Sequence, residues 1–96
     1  NGQGTDHAWG GNHFVLGGSV TGGRMFGTFP DDLTDDGALN LGRGRLVHTT
    51  SWEQLWQPII EWFGIEDADV VAEILPNLAN FPEETRISKE ELFKTE

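Results

Sequence analysis

The sequence of 96 residues contains no cysteine, which excludes both a disulfide framework and a metal site built from thiolates. It is also poor in basic residues, because six lysines and arginines face sixteen aspartates and glutamates, for a formal net charge of −10. Such a charge repels a phosphate backbone, so nucleic acid is not an expected partner. No apolar run approaches the roughly 20 residues of a membrane span, so none is predicted.

Glycine is distributed unevenly, with twelve of the thirteen glycines in residues 1–44. Within this half, the apolar runs HFVLGG (13–18) and RMFGTF (24–29) are bounded by glycine pairs. This pattern predicts two strands joined by the turn SVTGG. The acidic, glycine-containing stretch 30–45 has no sustained periodicity, which predicts an exposed loop.

The second half shows helical periodicity. Apolar residues recur at the spacing of one helix face, and they are Trp52, Leu55, Trp56, Ile59, Ile60 and Phe63. We expect an amphipathic helix that buries this stripe, capped by Thr50 or Ser51 and ended by Gly64 in the left-handed conformation. Pro58 lacks the N–H that would bond the preceding turn, which predicts a kink or two shorter helices.

Two further helices are expected near the C-terminus. DADVVAEIL (67–75) opens with an aspartate suited to a helix N-terminus and stops before Pro76. Residues 87–96 contain Ser88-x-x-Glu91, the spacing of a capping box, and predict a short terminal helix.

The stretch GTDHAWGGNHF (4–14) holds the first candidate site. Asp6 and His7 place a carboxylate beside an imidazole, the two ligand types that divalent metals such as zinc accept. The alternative is that His7 only hydrogen-bonds within a loop. His13 begins an apolar run and is more typical of a strand end than of a ligand, and His48, just before a helix cap, is interpreted as structural.

The acidic loop has some of the features of an EF-hand loop, in which glycine occupies the sixth position. Taking Gly37 as that glycine puts oxygen donors at suitable places, but Arg43 stands where the bidentate glutamate should be. A solvated acidic loop is therefore the better interpretation.

The arginines of GRGR (42–45) raise a second possibility. Arg43 and Arg45 can hold an anion through bidentate hydrogen bonds, or they can pair with the neighbouring aspartates. His13 and Arg45 are the candidate substrate-binding residues. No serine or threonine lies in a recognisable nucleophile elbow, so the chain offers metal ligands without a nucleophile.

Three segments together resemble the C-terminal part of a bacterial domain-of-unknown-function family. They are NGQGTDHAWGGNHFVLGGSVTGGRMFG, LGRGRLVHTTSWEQLWQPIIEWFGI and LPNLANF, and the resemblance covers residues 1–81. Members of that family are commonly exported by the twin-arginine route and are similar to sulfatases and alkaline phosphatases. The resemblance implies an α/β fold, namely the C-terminal fragment of a three-layer sandwich, and a periplasmic or secreted location.

The resemblance also assigns residues. His7 aligns with a late metal-ligand histidine, and Asp6 with a ligand or a carboxylate that supports one, although Ala8 stands where the family usually has glycine. A divalent metal, zinc or calcium, is the implied cofactor. By the same resemblance Pro58 would be the first residue of the main helix, where its missing N–H costs little.

Two functions are expected from these observations. In the first, the chain is the C-terminal segment of an exported, metal-dependent phosphatase-like or sulfatase-like hydrolase, and it is not catalytic alone because the nucleophile lies upstream. In the second, it is a non-catalytic binding or self-assembly module that uses strand edges and the tryptophan-rich helix. Either way we expect a single partial domain over 1–96, with strands and loops in 1–50, helices in 51–81 and a tail in 82–96. Its partner would be the rest of a parent chain or a second copy.

Overall fold

A computed structural model describes residues 2–4 and 7–95 of the chain. It contains three α-helices, α1 (Trp52–Trp62), α2 (Ala68–Ile74) and α3 (Lys89–Leu92), with 3₁₀ turns at Leu78–Asn80 and Glu83–Thr85. No β-strand occurs among the described residues. Their only ladder-type pairings are isolated antiparallel bridges that join Val20 to Phe93 and Asn40 to Leu46.

The predicted α/β sandwich is therefore wrong, and so is the predicted hairpin over 13–29. The N–H of Thr21 donates to the carbonyl of Leu92 at 2.9 Å, and the N–H of Lys94 donates to the carbonyl of Ser19 at 2.8 Å. The segment predicted to be a turn thus pairs with the end of α3 and with the residues just after it. The two apolar runs do not pair with each other. Glycine pairs weaken a strand because they add backbone entropy and no side chain that could pack on a neighbour.

The chain divides into two compact units that interleave along the sequence. The helical unit consists of Val15–Phe26 and Thr50–Glu96, and the glycine-rich unit consists of Asn1–Phe14 and Gly27–Thr49.

The helical unit contains two small apolar clusters. The first comprises Val71, Leu75 and Leu78, with Ile60 and Ile65 packed against them. The second comprises Ile87, Leu92 and Phe93, with partly buried Val15, Val20, Phe26 and Ile59.

The predicted ends of α1 are confirmed. Ser51 is the N-cap, and its hydroxyl accepts a hydrogen bond from the N–H of Gln54 at 3.2 Å, while the Gln54 side chain accepts one from the N–H of Ser51 at 2.7 Å. At the other end Gly64 has φ of 99°, and its N–H donates to the carbonyl of Glu61 at 2.9 Å. Both ends follow from local chemistry: a capping box opens the helix and a left-handed glycine closes it.

Pro58 does not begin the main helix as the resemblance implied, because α1 starts at Trp52 and runs through it. Pro58 is fully buried and shares its face of the helix with the buried Ser51 and Gln54. The predicted burial of the whole apolar stripe is wrong as well, since Trp52 and Trp56 are exposed. The face of α1 that carries Ser51, Gln54 and Pro58 is turned to the interior, and the face that carries Trp52 and Trp56 is not.

The two shorter helices begin where the sequence predicts. The Asp67 carboxylate accepts a hydrogen bond from the N–H of Asp69 at 2.9 Å at the start of α2. At α3, Ser88 and Glu91 form a complete capping box, with bonds of 3.1 and 3.2 Å. The terminal helix covers only Lys89–Leu92 of the predicted 87–96.

In the glycine-rich unit, the stretch 30–45 forms a loop as predicted, but the predicted exposure holds only in part because Gly37 is buried. Residues 31–36 are all exposed, and the loop closes on itself where the N–H of Leu41 donates to the carbonyl of Arg45 and the N–H of Val47 to that of Leu39, both at 2.9 Å.

Candidate binding surface on the first helix

Of the two residues predicted to bind a metal, the structure describes only His7. His7 is exposed, and Asp6 lies outside the described residues. Across residues 2–4 and 7–95, no three histidine, aspartate or glutamate side chains come together as a metal would require. The metal role of His7 and Asp6, and with it zinc or calcium, stays a prediction from the resemblance.

The candidate substrate-binding residues are placed differently from each other. His13 is exposed. The Arg45 guanidinium donates to the carbonyl of Gly42 at 2.9 Å and to that of Leu41 at 3.0 Å, and it lies 5.3 Å from the ring centroid of Trp9. Arg45 therefore stabilises the turn in which it lies. A substrate-binding role for Arg45 or for His13 stays a prediction.

All four tryptophans of the chain are exposed. Tryptophan is normally among the most buried residues on average, so four exposed copies in a small chain need a reason. Among the described residues, six hydrophobic side chains are buried, whereas thirteen large ones are exposed. The interior is too small to cover the apolar surface that the sequence carries.

Part of this surface is concentrated on one side of α1. At about 100° per residue, Trp52, Trp56 and Phe63 project within about 40° of one another around the helix axis. They are 57%, 42% and 73% exposed, and the rings of Trp52 and Trp56 stack with centroids 6.2 Å apart. We call Trp52, Trp56 and Phe63 the aromatic row.

The opposite side of α1 is anchored by Gln54. Its amide donates to both the carbonyl and the hydroxyl oxygen of Thr85, each at 3.0 Å. Together with the bond to Ser51, these contacts satisfy a buried amide that would otherwise destabilise the fold. They also fix the rotation of α1, which leaves the aromatic row facing outward.

Both flanks of α1 are packed. On one side Ile60 contacts the cluster of Val71, Leu75 and Leu78. On the other, Ile59 contacts the cluster of Phe93, and Trp62 stacks on the Phe93 ring with centroids 5.0 Å apart. Because the back and both flanks of α1 make contacts, the row is presented on a supported helix.

The row continues into a shallow apolar depression of about 260 Å³. Phe63, the last member of the row, lines this depression together with Leu16, Ile59, Trp62 and Phe93. A ligand that covers the row would thus find a recess at its C-terminal end.

The stretch of sequence that includes the row is acidic. From Leu46 to Thr85 the sequence has no lysine or arginine but eight acids, which are Glu53, Glu61, Glu66, Asp67, Asp69, Glu73, Glu83 and Glu84. One of them, Glu53, lies on α1 between Trp52 and Trp56, where its carboxylate accepts a 3.3 Å hydrogen bond from Asn77.

The four bases of the helical unit are already engaged within it. Arg24 donates to the carbonyl of Glu91 and lies near its carboxylate, and Lys89 pairs with Glu66. Arg86 donates to the backbone carbonyls of Phe81 and Leu78, and Lys94 donates to the carbonyl of Gly18. The surface of this unit is therefore apolar and anionic.

Comparison of the chain with protein-family models, with curated proteins and with solved structures finds no match. The geometry of the described residues is thus the direct guide to function. No helix in the described ranges has the length and apolar character needed to cross a membrane.

Proposed function

We propose that the chain is a non-catalytic protein-binding module whose contact surface is the aromatic row on α1. The observation that carries the proposal is the exposure of stacked tryptophans on a helix whose back and flanks are packed. Exposed aromatic clusters of this kind are typical of protein interfaces, where tryptophan contributes more binding energy than most residues.

Two features of α1 favour a binding role over an incidental exposure. The helix is capped at both ends and held by Gln54, so little order is lost when a partner docks on it. The row is also continuous with the depression at Phe63, which gives a partner a recess to fill. The strand edges that the sequence predicts for this interface do not occur among the described residues. The proposal therefore depends on α1.

The hydrolase function rests on the resemblance of residues 1–81, and it is tested separately. Native mass spectrometry with and without a chelator, on the chain and on the variant His7→Ala, would detect a bound divalent metal. Metal bound by the original chain and lost in the variant would favour that function over ours.

A direct test of the binding role is selection of a displayed library of random peptides against the folded chain. We expect the recovered peptides to lose affinity by about tenfold or more when Trp52 and Trp56 are both changed to alanine, because central tryptophans act as hot spots. Circular dichroism would establish that the variant keeps its helices.

The matched control is Trp9→Ala, which removes an equally exposed tryptophan from the glycine-rich unit. Peptides that bind this variant and the original chain equally support the proposal. Peptides whose affinity is unchanged when Trp52 and Trp56 are replaced by alanine contradict the proposal.

A further inference from the structure

We infer that the partner of the aromatic row is a cationic segment of protein, with lysine or arginine placed between apolar anchors. This inference rests on the proposed function and adds the chemistry of the partner to it. Three observations support it, namely the charge of the surface, the position of Glu53, and the way this chain already pairs its own cations with aromatic rings.

The first observation is the acidic character of the sequence that includes the row. The forty residues from Leu46 to Thr85 carry eight acids and no lysine or arginine. The bases elsewhere in the helical unit are paired with acids or with backbone carbonyls. A partner with positive charge is therefore attracted, and an anionic partner is repelled, over distances up to about a Debye length.

The same charge argues against a second copy as the occupant. Each copy carries a formal net charge of −10, and a symmetric contact would place the two anionic faces against each other. Like charges that meet across an interface disfavour association. A cationic segment meets no such opposition.

The second observation is the arrangement of charge and ring on α1. Glu53 precedes Trp56 by three residues on α1, so these two lie on adjoining positions of the helix surface, beside the row. Its carboxylate accepts one hydrogen bond, from Asn77, which leaves further acceptor sites. A guanidinium that bonds to Glu53 can lie against a tryptophan ring at the same time.

The third observation is a precedent within the chain. The Arg24 guanidinium lies 4.9 Å from the ring centroid of Phe26. The Arg45 guanidinium lies 5.3 Å from the ring centroid of Trp9. Cation–ring contact is thus used twice by this sequence. Helix α1 has three tryptophans and no base of its own, so a cationic partner can make the same kind of contact there.

The length of the row sets the size of the partner. From Trp52 to Phe63 the helix rises by about 16 Å, which equals about three turns of a second helix. Apolar anchors at positions i, i+4, i+7 and i+11 of such a helix would cover the row, with basic residues between them facing the acids.

The experiment uses the full chain and three synthetic peptides of about 18 residues, long enough for five helical turns. The first is a leucine–arginine peptide with leucines at helical spacing. The second has the same composition in an order without an apolar face, and the third replaces every arginine of the first with glutamate. Binding is measured by isothermal titration calorimetry.

We expect the first peptide to bind more tightly than the second and the third by about tenfold or more, since it alone has both an apolar face and positive charge. Trp52→Ala with Trp56→Ala should weaken its binding by a similar factor. Glu53→Gln, which keeps the bond to Asn77, should weaken it more than Glu84→Gln on the 3₁₀ turn that contacts the opposite side of α1 through Gln54.

Different failures have different meanings. Equal binding of the glutamate peptide overturns the inference but leaves the proposed function intact, because charge would then not select the partner. Equal binding of the reordered peptide means unspecific attraction only, and it overturns the inference. Binding unaffected by the tryptophan variant overturns the inference and the proposed function together. Concentration-dependent sedimentation of the chain alone, abolished by that variant, assigns the row to a second copy and overturns the cationic partner.

Discussion

At the scale of single residues, the acidic loop shows how a short side chain can fix a turn. The Asp32 carboxylate accepts hydrogen bonds from the Thr34 hydroxyl at 2.6 Å and from the Thr34 N–H at 2.8 Å. These two bonds lower the pKa of Asp32 below its ordinary value, the hydroxyl having the larger effect. The contribution of Asp32 to stability is thus present above its unfolded-state pKa and is lost as the pH falls through the folded-state value.

This effect predicts a measurable change in Thr34→Val. Valine removes the hydroxyl donor and keeps the backbone donor, so the pKa of Asp32 should rise toward its ordinary value. Carboxyl carbon NMR during a pH titration measures it directly. Thr34→Ser, which restores a hydroxyl, should keep the pKa low, and an unchanged pKa in the valine variant would contradict the assignment.

Gly37 is the second residue with a specific requirement. A Cβ atom at this position would lie 2.3 Å from the carbonyl oxygen of Asp32, closer than real contacts allow. Gly37→Ala should therefore shift the loop and weaken the bonds around it, including that from the Asn40 N–H to the Gly37 carbonyl.

Amide hydrogen exchange at Asn40 would detect this change as a loss of protection. Gly11→Ala in the same unit is the matched control, because a Cβ there meets nothing within 4 Å. Equal protection of Asn40 in both variants would show that the close approach at Gly37 has no structural consequence.

At the scale of elements, α1 depends on one buried amide. Gln54 completes the capping box with Ser51 and donates twice to Thr85. Replacing it with alanine leaves the Ser51 N–H and the Thr85 carbonyl without these partners. We expect Gln54→Ala to lower the free energy of unfolding by about 1–3 kcal/mol.

Urea unfolding followed by circular dichroism measures this loss. Gln57→Ala on the same helix is the control, since the bond that its amide makes among the described residues is to Glu61 at 3.0 Å, a pair worth about 0.2–0.5 kcal/mol. A larger loss for Gln57 than for Gln54 would show that the contact with Thr85 does not hold α1 in place.

The elements also show what the sequence could predict. Ser51, Asp67 and Ser88 act on donors two or three residues away, so the starts of all three helices could be read locally. The stretch 13–29 could not, because a strand needs a neighbour whose position the local pattern does not contain. The rotation of α1 could not be predicted for the same reason. It depends on Thr85, which bonds to Gln54 on the buried face and lies thirty-one residues away along the chain.

At the scale of the whole molecule, a small interior coexists with a large apolar surface. Leu92 is 3% exposed and belongs to the interior. We expect Leu92→Ala to cost about 2–5 kcal/mol of the free energy of unfolding. The double change of Trp52 and Trp56 to alanine should cost less than this, because both side chains are about half exposed and their removal opens no cavity in the interior.

Thermal or urea unfolding of the two variants decides this point. If the tryptophan variant lost as much stability as Leu92→Ala, the row would be part of the interior and not a binding surface. The sequence alone could not make this distinction, because exposed and buried aromatic stripes share the same helical spacing.

The central claim is that Trp52 and Trp56 form a contact surface for a cationic partner, and fluorine NMR tests it most directly. The chain is labelled with 5-fluorotryptophan, its four resonances are assigned by single tryptophan-to-phenylalanine changes, and the leucine–arginine peptide is added. We predict that the resonances of Trp52 and Trp56 shift and saturate together, whereas that of Trp9 stays in place. Resonances of Trp52 and Trp56 that do not move while the peptide binds would contradict the claim.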